Sequence, residues 1–268
     1  MVTQNTPASN DQLPDYANWV PRGMVIGFAA GSVALAGCAL AAKAAKAPRY
    51  VAVTIAATAA GTGAAALYTA ALYQAFSYKG KRKLSKQIVE GTAAYVDLPE
   101  GGVCLDVGCG SGALAIAVAK RNPQARVIGV DRWGAEYASF SKDLCERNAA
   151  AEGVSNTSFM PGDATELPFV DESFDAVTSN YVYHNVTGAN KQELLRETLR
   201  CLKKGGTFAI HDIMSPMRYG DMEQFCQSLR DEGYQDVRMI PTDNGLFMSK
   251  LEGTLLSLSG SSLLVGTK

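Results

Sequence analysis

Three glycines at alternate positions, Gly108, Gly110 and Gly112, follow an apolar run that ends in Val107 and precede a helical pattern. Glycine at such a strand-to-helix turn lets the backbone approach a bound ligand closely. The spacing is GxGxG, whereas loops that bind the pyrophosphate of a dinucleotide have GxGxxG. An acid, Asp106, lies in the preceding run, where it would repel a pyrophosphate. These residues therefore predict a ligand that carries positive charge.

The segment from Asp106 to Gly112 resembles the first motif of the class I methyltransferases, in which an acid precedes three spaced glycines. The resemblance extends over roughly Leu84–Lys268. It implies S-adenosyl-L-methionine as the cofactor, whose amino group and sulfonium carry the positive charge. It also implies that the first part of the cofactor site is formed by Asp106, Gly108, Cys109, Gly110 and Gly112.

Two more acids match the family's cofactor-binding pattern. Asp131 ends the next apolar run, about 20 residues after the glycines, where the family's acid accepts hydrogen bonds from both ribose hydroxyls. Trp133 is predicted either to cover the adenine ring or to pack against the protein. Asp163 and Ala164 resemble the family's Gly-Asp-Ala segment, so Asp163 is expected to accept a hydrogen bond from the adenine amino group.

The methyl acceptor is expected at the end of the fourth predicted strand, because open α/β sheets bind ligands at the carboxyl ends of their strands. Ser179 is assigned there to the cofactor site. His184 is the candidate general base, and Tyr181 and Tyr183 are candidates for positioning the acceptor. A capping or packing role is the other interpretation of His184. Transfer to a thiol, amine or arsenical could proceed without a protein base.

His211 and Asp212 follow the fifth predicted strand, and either could line the acceptor pocket. The fourth-strand segment lacks the Asn-Pro-Pro-Tyr-like signature of enzymes that methylate amide or base nitrogens. It is more similar to small-molecule methyltransferases, including those of quinone biosynthesis. The long connection 244–261 is interpreted as a lid, as part of the core or as a membrane contact, with Leu246, Phe247 and Met248 as its apolar residues.

Short apolar runs that alternate with helical segments must position these residues. They predict an α/β domain over residues 103–268, preceded by a basic flank and leading helix over 79–102. The resemblance implies a doubly wound, seven-stranded, mostly parallel sheet of the Rossmann-like methyltransferase type.

The first 78 residues have a different composition. Residues 1–21 form a polar segment that is expected to be a disordered tail. Residues 22–78 contain two long uncharged runs that predict a transmembrane hairpin. Small residues, including Gly27, Gly31 and the Gly61–Gly63 segment, would let its two helices approach closely. A cleaved signal peptide and a buried helical pair are the other interpretations.

Basic residues predict the orientation of this hairpin. Arg22 and five residues between Lys79 and Lys86 flank the pair, whereas only Lys43, Lys46 and Arg49 lie in its connection. The positive-inside rule therefore places both ends, and the domain that follows, in the cytoplasm, at the inner membrane in a bacterium.

Composition excludes several classes of protein. Twenty-five basic and 26 acidic residues leave a net charge of -1, so no nucleic-acid partner is expected. Six cysteines without paired spacing and only two histidines predict reduced thiols and no metal site. The expected function is transfer of a methyl group to a small or lipid-like acceptor, with no prediction of oligomeric state. An NAD-dependent oxidoreductase and a non-catalytic membrane scaffold are the alternatives.

Overall fold

The computed structural model describes residues 13–134 and 139–268, and it divides the chain into two units. The first unit, called the sheet domain, comprises residues 1–17 and 87–268. The second, called the helical hairpin, comprises residues 18–86. A helix, α3 (Leu84–Ala93), continues the chain from the hairpin into the sheet domain.

A twisted sheet of seven strands organises the sheet domain, with the order β3-β2-β1-β4-β5-β7-β6. The strands are β1 (Val103–Val107), β2 (Arg126–Asp131), β3 (Thr157–Pro161), β4 (Phe174–Asn180), β5 (Leu202–Ile213), β6 (Gln235–Pro241) and β7 (Ser261–Thr267). The first five pair in parallel, and β7 is antiparallel to both β5 and β6. The predicted fold class, a mostly parallel seven-stranded sheet, is confirmed.

Helices connect the strands and cover the sheet. They are α4 (Ala113–Arg121), α5 (Lys142–Ala151), α6 (Lys191–Arg200), α7 (Pro216–Tyr219), α8 (Met222–Asp231) and α9 (Lys250–Leu255). Ser141, Asn190 and Asp221 cap α5, α6 and α8 by accepting hydrogen bonds from backbone N–H groups of the first turn. Ser249 and Glu252 form a reciprocal capping box at α9. Polar side chains at the expected positions therefore set where these helices begin.

The chain reverses its direction of travel across the sheet at β1. From β1 it proceeds outward to β2 and β3, and then returns to β4 on the other side of β1. Ligands of open parallel sheets bind in the crevice at such a reversal, beyond the carboxyl ends of the strands. The ends of β1, β2, β4 and β5 therefore define the edge at which functional side chains should be sought.

The connection between β6 and β7 is folded rather than extended. It contains α9, and the side chains of Phe247 and Met248 are buried. The Phe247 ring packs 5.5 Å from the His211 ring and lies so close to Gly91 that a side chain there would collide with it. Of the interpretations offered for this segment, the core role applies to Phe247 and Met248, whereas Leu246 is 42% exposed.

The polar N-terminal segment also differs in part from the expected disordered tail. Residues 1–12 lie outside the described part of the chain, but Asp15 and Tyr16 are hydrogen-bonded to the rest of the sheet domain. The reason is that backbone N–H and C=O groups of this segment meet a buried asparagine, Asn148, and a buried serine, Ser111. Composition alone does not reveal such partners.

The helical hairpin consists of α1 (Arg22–Ala44) and α2 (Arg49–Phe76), which pack against each other. The Ser32 hydroxyl donates to the backbone oxygen of Ala59, and both Gly31 and Gly63 lie at close approaches of the two helices. Around Gly27 and Gly61, by contrast, no atom of the described residues lies within 4 Å of the place where a Cβ would be. Both helices are long and apolar enough to cross a membrane, as judged from length and composition.

Candidate cofactor and acceptor site

The glycine loop after β1 has the backbone conformation that the sequence pattern requires. Gly108, Gly110 and Gly112 all have positive φ angles, of 71, 55 and 81°. At Gly108 there is a second constraint, because an added Cβ would come within 2.3 Å of the Val182 side chain. The N–H groups of Gly108 and Cys109 donate to the Val130 backbone oxygen at 2.8 and 3.0 Å. The loop is thus held against the ends of β2 and β4.

Asp106 lies under this loop with its side chain almost fully buried. The Thr178 hydroxyl donates to Oδ1 at 2.9 Å, but Oδ2 has no hydrogen-bond partner in the part of the chain that the structure describes. Burial raises the pKa of this carboxyl to about 7, although the Thr178 hydrogen bond opposes the shift. An unpaired buried carboxylate oxygen is destabilising unless a donor reaches it. Asp106 therefore suits a ligand with positive charge.

Asp131 is joined directly to the glycine loop. Its Oδ2 accepts from the Gly110 N–H at 2.8 Å, and its Oδ1 accepts from the Trp133 N–H at 2.8 Å. The Trp133 indole N–H donates in turn to the Gly110 oxygen at 2.9 Å. This contact favours a packing role for Trp133. Each carboxylate oxygen of Asp131 has a second lone pair, so the arrangement still allows the two ribose hydroxyls to donate.

Asp163 lies in the turn after β3. Its Oδ1 accepts from the backbone N–H and the hydroxyl of Thr165, at 2.8 and 2.7 Å, and these hydrogen bonds lower the pKa of the carboxyl. The preceding Gly162 N–H donates to the Asp131 backbone oxygen at 3.1 Å, which links this turn to the end of β2. Ala164 packs against the hydrophobic core. Asp163 is therefore an anionic group fixed near Asp131.

Two other residues assigned to the cofactor site have buried side chains. The Cys109 side chain packs against Gly129, where an added Cβ would lie 3.0 Å from the cysteine Cβ and Sγ. The Ser179 hydroxyl donates to the Val107 backbone oxygen at 2.9 Å inside the sheet. These side chains are packed or paired inside the protein, so their placement differs from the expectation of direct ligand contact. They shape the loop and the strand ends, and only their backbone groups could meet a ligand.

His184 and Asp212 meet beyond the ends of β4 and β5. The His184 Nδ1 lies 2.5 Å from the Asp212 Oδ1, and the His184 backbone N–H donates to Oδ2 at 3.1 Å. Tyr219 also donates its hydroxyl to Oδ2, at 2.8 Å. Burial raises the pKa of Asp212, but the hydrogen bonds from His184, Tyr219 and the Ile213 N–H outweigh it and lower the pKa. An ionised Asp212 fixes Nδ1 of His184 as a donor and leaves Nε2 as the basic nitrogen.

The two candidate tyrosines occupy different places. Tyr181 has a positive φ of 56°, its hydroxyl is hydrogen-bonded to that of Ser261 at 2.7 Å, and its ring lies 5.9 Å from the His184 ring. Tyr183 is fully buried, and its hydroxyl is bonded to that of Thr198 on α6 at 2.5 Å. The prediction that Tyr183 positions the acceptor therefore fails, because its ring belongs to the core under α6.

His211 also differs from the expectation that it lines a pocket. Its Nδ1 bonds to the Asn180 side chain and its Nε2 to the Thr242 hydroxyl, both at 2.8 Å. Burial lowers the pKa of this fully enclosed imidazole to about 3, so it is neutral. Of the two residues at the end of β5, Asp212 belongs to the site and His211 to its support. Tyr219 is an additional member of the site, through the hydrogen bond that its hydroxyl donates to Asp212.

The edge of the sheet thus has two halves. The cofactor half contains Asp106, the glycine loop, Asp131 and Asp163. The acceptor half contains Tyr181, His184, Asp212 and Tyr219. A carboxylate set that suits a cationic adenosyl ligand therefore lies beside an oriented imidazole, which can accept a proton from a second molecule.

Residues 105–210 match the family described as a methyltransferase domain. A demethylmenaquinone methyltransferase from Roseiflexus castenholzii is 31% identical over 138 residues, which are 50% of this chain and 54% of that protein. A 2-phytyl-1,4-naphtoquinone methyltransferase from Thermosynechococcus vestitus is 32% identical over 134 residues, 50% of this chain and 55% of that protein. The chain thus spans about half the length of the curated relatives it matches.

The solved structures agree on the fold. A geranyl diphosphate C-methyltransferase from Streptomyces coelicolor A3(2), in complex with S-adenosyl-L-homocysteine, aligns with a TM-score of 0.52 at 15% identity. The alignment covers 69% of this chain and 79% of that one. The fold implied by the glycine motif, a Rossmann-like methyltransferase sheet, is thereby confirmed. The match to the methyltransferase domain family supports S-adenosylmethionine as the cofactor.

Proposed function

We infer that this chain, whose residues 105–210 match the methyltransferase domain family, transfers a methyl group from S-adenosylmethionine to a small, lipophilic aromatic acceptor of the quinone type. The observation that carries this inference is the pair formed by His184 and Asp212 beside the glycine loop. It provides an oriented base next to a site suited to an adenosyl cation. The names of the relatives add support for the acceptor class, since one is a methyltransferase of demethylmenaquinone and the other of 2-phytyl-1,4-naphtoquinone.

The cofactor half supplies the binding groups for the adenosyl ligand. We assign Asp131 to the ribose hydroxyls, Asp163 to the adenine amino group and Asp106 to the positive end of the molecule. Gly108, Gly110 and Gly112 allow the backbone to approach it. When bound, S-adenosylmethionine supplies an electrophilic methyl group on its sulfonium. The rest of the chemistry falls to residues of the protein.

The acceptor half is suited to an acceptor that must lose a proton. His184 Nε2 takes the proton of an aromatic hydroxyl, and the electron pair left on the oxygen is delocalised to the ring carbon or stays on oxygen. Asp212, buried and ionised, stabilises the imidazolium that forms. Tyr219 and the Ile213 N–H hold the carboxylate in place. A reduced quinone, which is an aromatic diol, has such a hydroxyl.

The helical hairpin suits a protein whose substrate dissolves in a membrane. Its outer surface has many exposed large apolar side chains, among them Ile26, Val33, Leu40 and Leu67. We propose that α1 and α2 span the membrane, since exposed side chains of this kind are stabilised by lipid. The excess of basic residues at Arg22 and Lys79–Lys86 over those between α1 and α2 supports a cytoplasmic location for the sheet domain.

Titration calorimetry on the detergent-purified full chain tests the cofactor assignment. We expect saturable binding of S-adenosylmethionine and S-adenosylhomocysteine and none of NAD. Binding of NAD alone would favour an oxidoreductase. Absence of binding to folded protein would favour a scaffold that has lost the activity.

Methyl transfer is then measured with cofactor labelled in the methyl group. Prenylated naphthohydroquinone kept reduced in nanodiscs is compared with the same compound oxidised, and with soluble phenols, thiols and amines. Label should enter the reduced quinone only. Equal labelling of thiols or amines would overturn the acceptor class.

A further inference from the structure

A cluster of hydrogen bonds joins the N-terminal segment to the glycine loop. Its centre is Asn148 on α5, which is only 2% exposed. The Asn148 amide nitrogen donates to the backbone oxygens of Asp15 and Ser111, both at 2.9 Å, and its oxygen accepts from the Asp15 N–H at 2.8 Å. One side chain thus binds the backbone of the N-terminal segment and the backbone of the loop together.

Tyr16 adds further hydrogen bonds between the N-terminal segment and the sheet domain. The hydroxyl of Ser111, which lies between Gly110 and Gly112, donates to the Tyr16 backbone oxygen at 2.9 Å. The Tyr16 hydroxyl donates to Glu152 at 3.1 Å, and its ring packs against the hydrophobic core. Asp15 and Tyr16 are therefore attached to the glycine loop and to the end of α5, through hydrogen bonds that lie within the sheet domain.

We propose that Asp15 and Tyr16, with Ser111 and Asn148, form a clamp that positions the glycine loop for cofactor binding. The proposal rests on the function inferred above. A loop with three positive-φ glycines can adopt many conformations. If only a fraction of the molecules has the conformation that binds the cofactor, the apparent affinity is reduced in proportion to that fraction. If the segment departs, the buried amide of Asn148 loses its two hydrogen bonds to Asp15 and keeps only the one to Ser111, and the Ser111 hydroxyl loses its bond to Tyr16. Both losses favour rearrangement of the loop.

The position of the clamp in the chain gives it a consequence for regulation. Tyr16 precedes the start of α1 at Arg22 by a few residues. A membrane anchor and a cofactor-positioning segment are thus consecutive parts of one stretch of chain. A change that draws the N-terminal segment away from Ser111 should weaken cofactor binding without altering any residue that touches the cofactor.

The test compares the full chain with a deletion of residues 2–17 that retains the hairpin, both in detergent. S-adenosylhomocysteine affinity is measured by calorimetry, and thermal unfolding is measured without ligand. We expect the deletion to weaken binding by roughly ten- to a hundredfold, because it removes the four hydrogen bonds that Asp15 and Tyr16 form with Ser111, Asn148 and Glu152. A synthetic peptide of residues 13–19, added in excess, should restore affinity, which a merely structural effect would not allow.

Ser111→Ala gives a second, independent measurement. In the full chain it should weaken binding by roughly three- to tenfold, whereas in the deletion it should have no further effect, because its partner is already gone. Ser173→Ala, which removes an exposed hydroxyl bonded to Val170, is the matched control and should change neither value.

Full-chain Ser111→Ala with unchanged affinity would overturn the clamp, even if the deletion does not fold. Equal affinity of the deletion and the full chain would also overturn it while leaving the proposed function intact. A full chain that binds no adenosyl ligand would instead refute both.

Discussion

The cofactor half and the acceptor half share one edge of the sheet but are assembled in different ways. In the cofactor half, Asp131 is held by Gly110 and by Trp133, so its contacts lie within one motif or between two consecutive ones. In the acceptor half, His184 depends on Asp212, 28 residues later, and Tyr181 on Ser261, 80 residues later. Cofactor recognition thus follows from short sequence patterns, whereas the acceptor site exists only when β4, β5 and β7 are paired.

The two halves also differ in the groups they use. The cofactor half offers carboxylates and glycine backbone, which suit a fixed ligand common to a whole fold class. The acceptor half has one histidine whose orientation depends on a buried carboxylate. We therefore expect variants of the cofactor half to lose cofactor binding, and variants of the acceptor half to lose turnover while cofactor binding persists.

The largest effect is expected from Asp131→Ala. The substitution removes the carboxylate that accepts from Gly110 and that we assign to the ribose hydroxyls. Loss of two charge-assisted hydrogen bonds should weaken S-adenosylhomocysteine binding by about a hundredfold or more in calorimetry. Asp171→Ala, at an exposed carboxylate paired with Arg200, is the control. Retention of near-normal affinity would show that Asp131 serves only the loop.

His184→Gln should affect the acceptor half and leave the cofactor half unchanged. We expect kcat to fall by roughly 100- to 1000-fold, since general-base catalysis contributes about that much, with S-adenosylhomocysteine affinity unchanged. The rate of the variant should rise with pH, because hydroxide then ionises the acceptor. Initial rates between pH 6 and 9 measure this. A variant with normal kcat would place His184 in a capping role and remove the base from the mechanism.

The pH dependence of cofactor affinity tests the role of Asp106 in the cofactor half. The pKa of Asp106 in the folded protein without ligand is raised from 3.8 to about 7, so protonation of this carboxyl stabilises the fold. This contribution to the free energy of unfolding is fully present below pH 3.8 and is lost as the pH rises through about 7. A bound cation favours the ionised carboxylate and releases the proton. As the pH rises towards 7, affinity for S-adenosylmethionine should therefore increase by up to about tenfold per pH unit.

The pH dependence is measured by calorimetry in buffers of different ionisation enthalpy. Asp106→Asn keeps the shape of the side chain and should abolish both the slope and the proton release. An identical slope in this variant would mean that another group titrates.

The smallest effect is expected from Tyr183→Phe. The hydroxyl is buried against Thr198, so its loss should lower the free energy of unfolding by about 1 kcal/mol, with kcat and cofactor affinity unchanged. Chemical denaturation and initial rates measure the two quantities. A drop in kcat larger than about tenfold would return Tyr183 to the acceptor half.

Much of the fold could be predicted because its signals are local. The glycines, the capping residues Ser141 and Ser249 and the alternation of apolar runs each act on neighbouring residues. Burial could not be predicted in the same way. Tyr183 and His211 have the residue types of an active site, yet one belongs to the core and the other to a hydrogen-bonded support.

The cofactor motif, the class of the sheet and the separation between an apolar N-terminal region and an α/β domain can all be read from the sequence, because backbone conformation and hydrophobic periodicity act over short distances. By contrast, the contact by which Asp212 orients His184, and the one by which Asn148 joins the N-terminal segment to Ser111, become visible only in the folded protein. The physical reason is that a side-chain hydrogen bond reaches only about 3 Å, so residues distant in the chain can form one only after the strands and helices between them have packed.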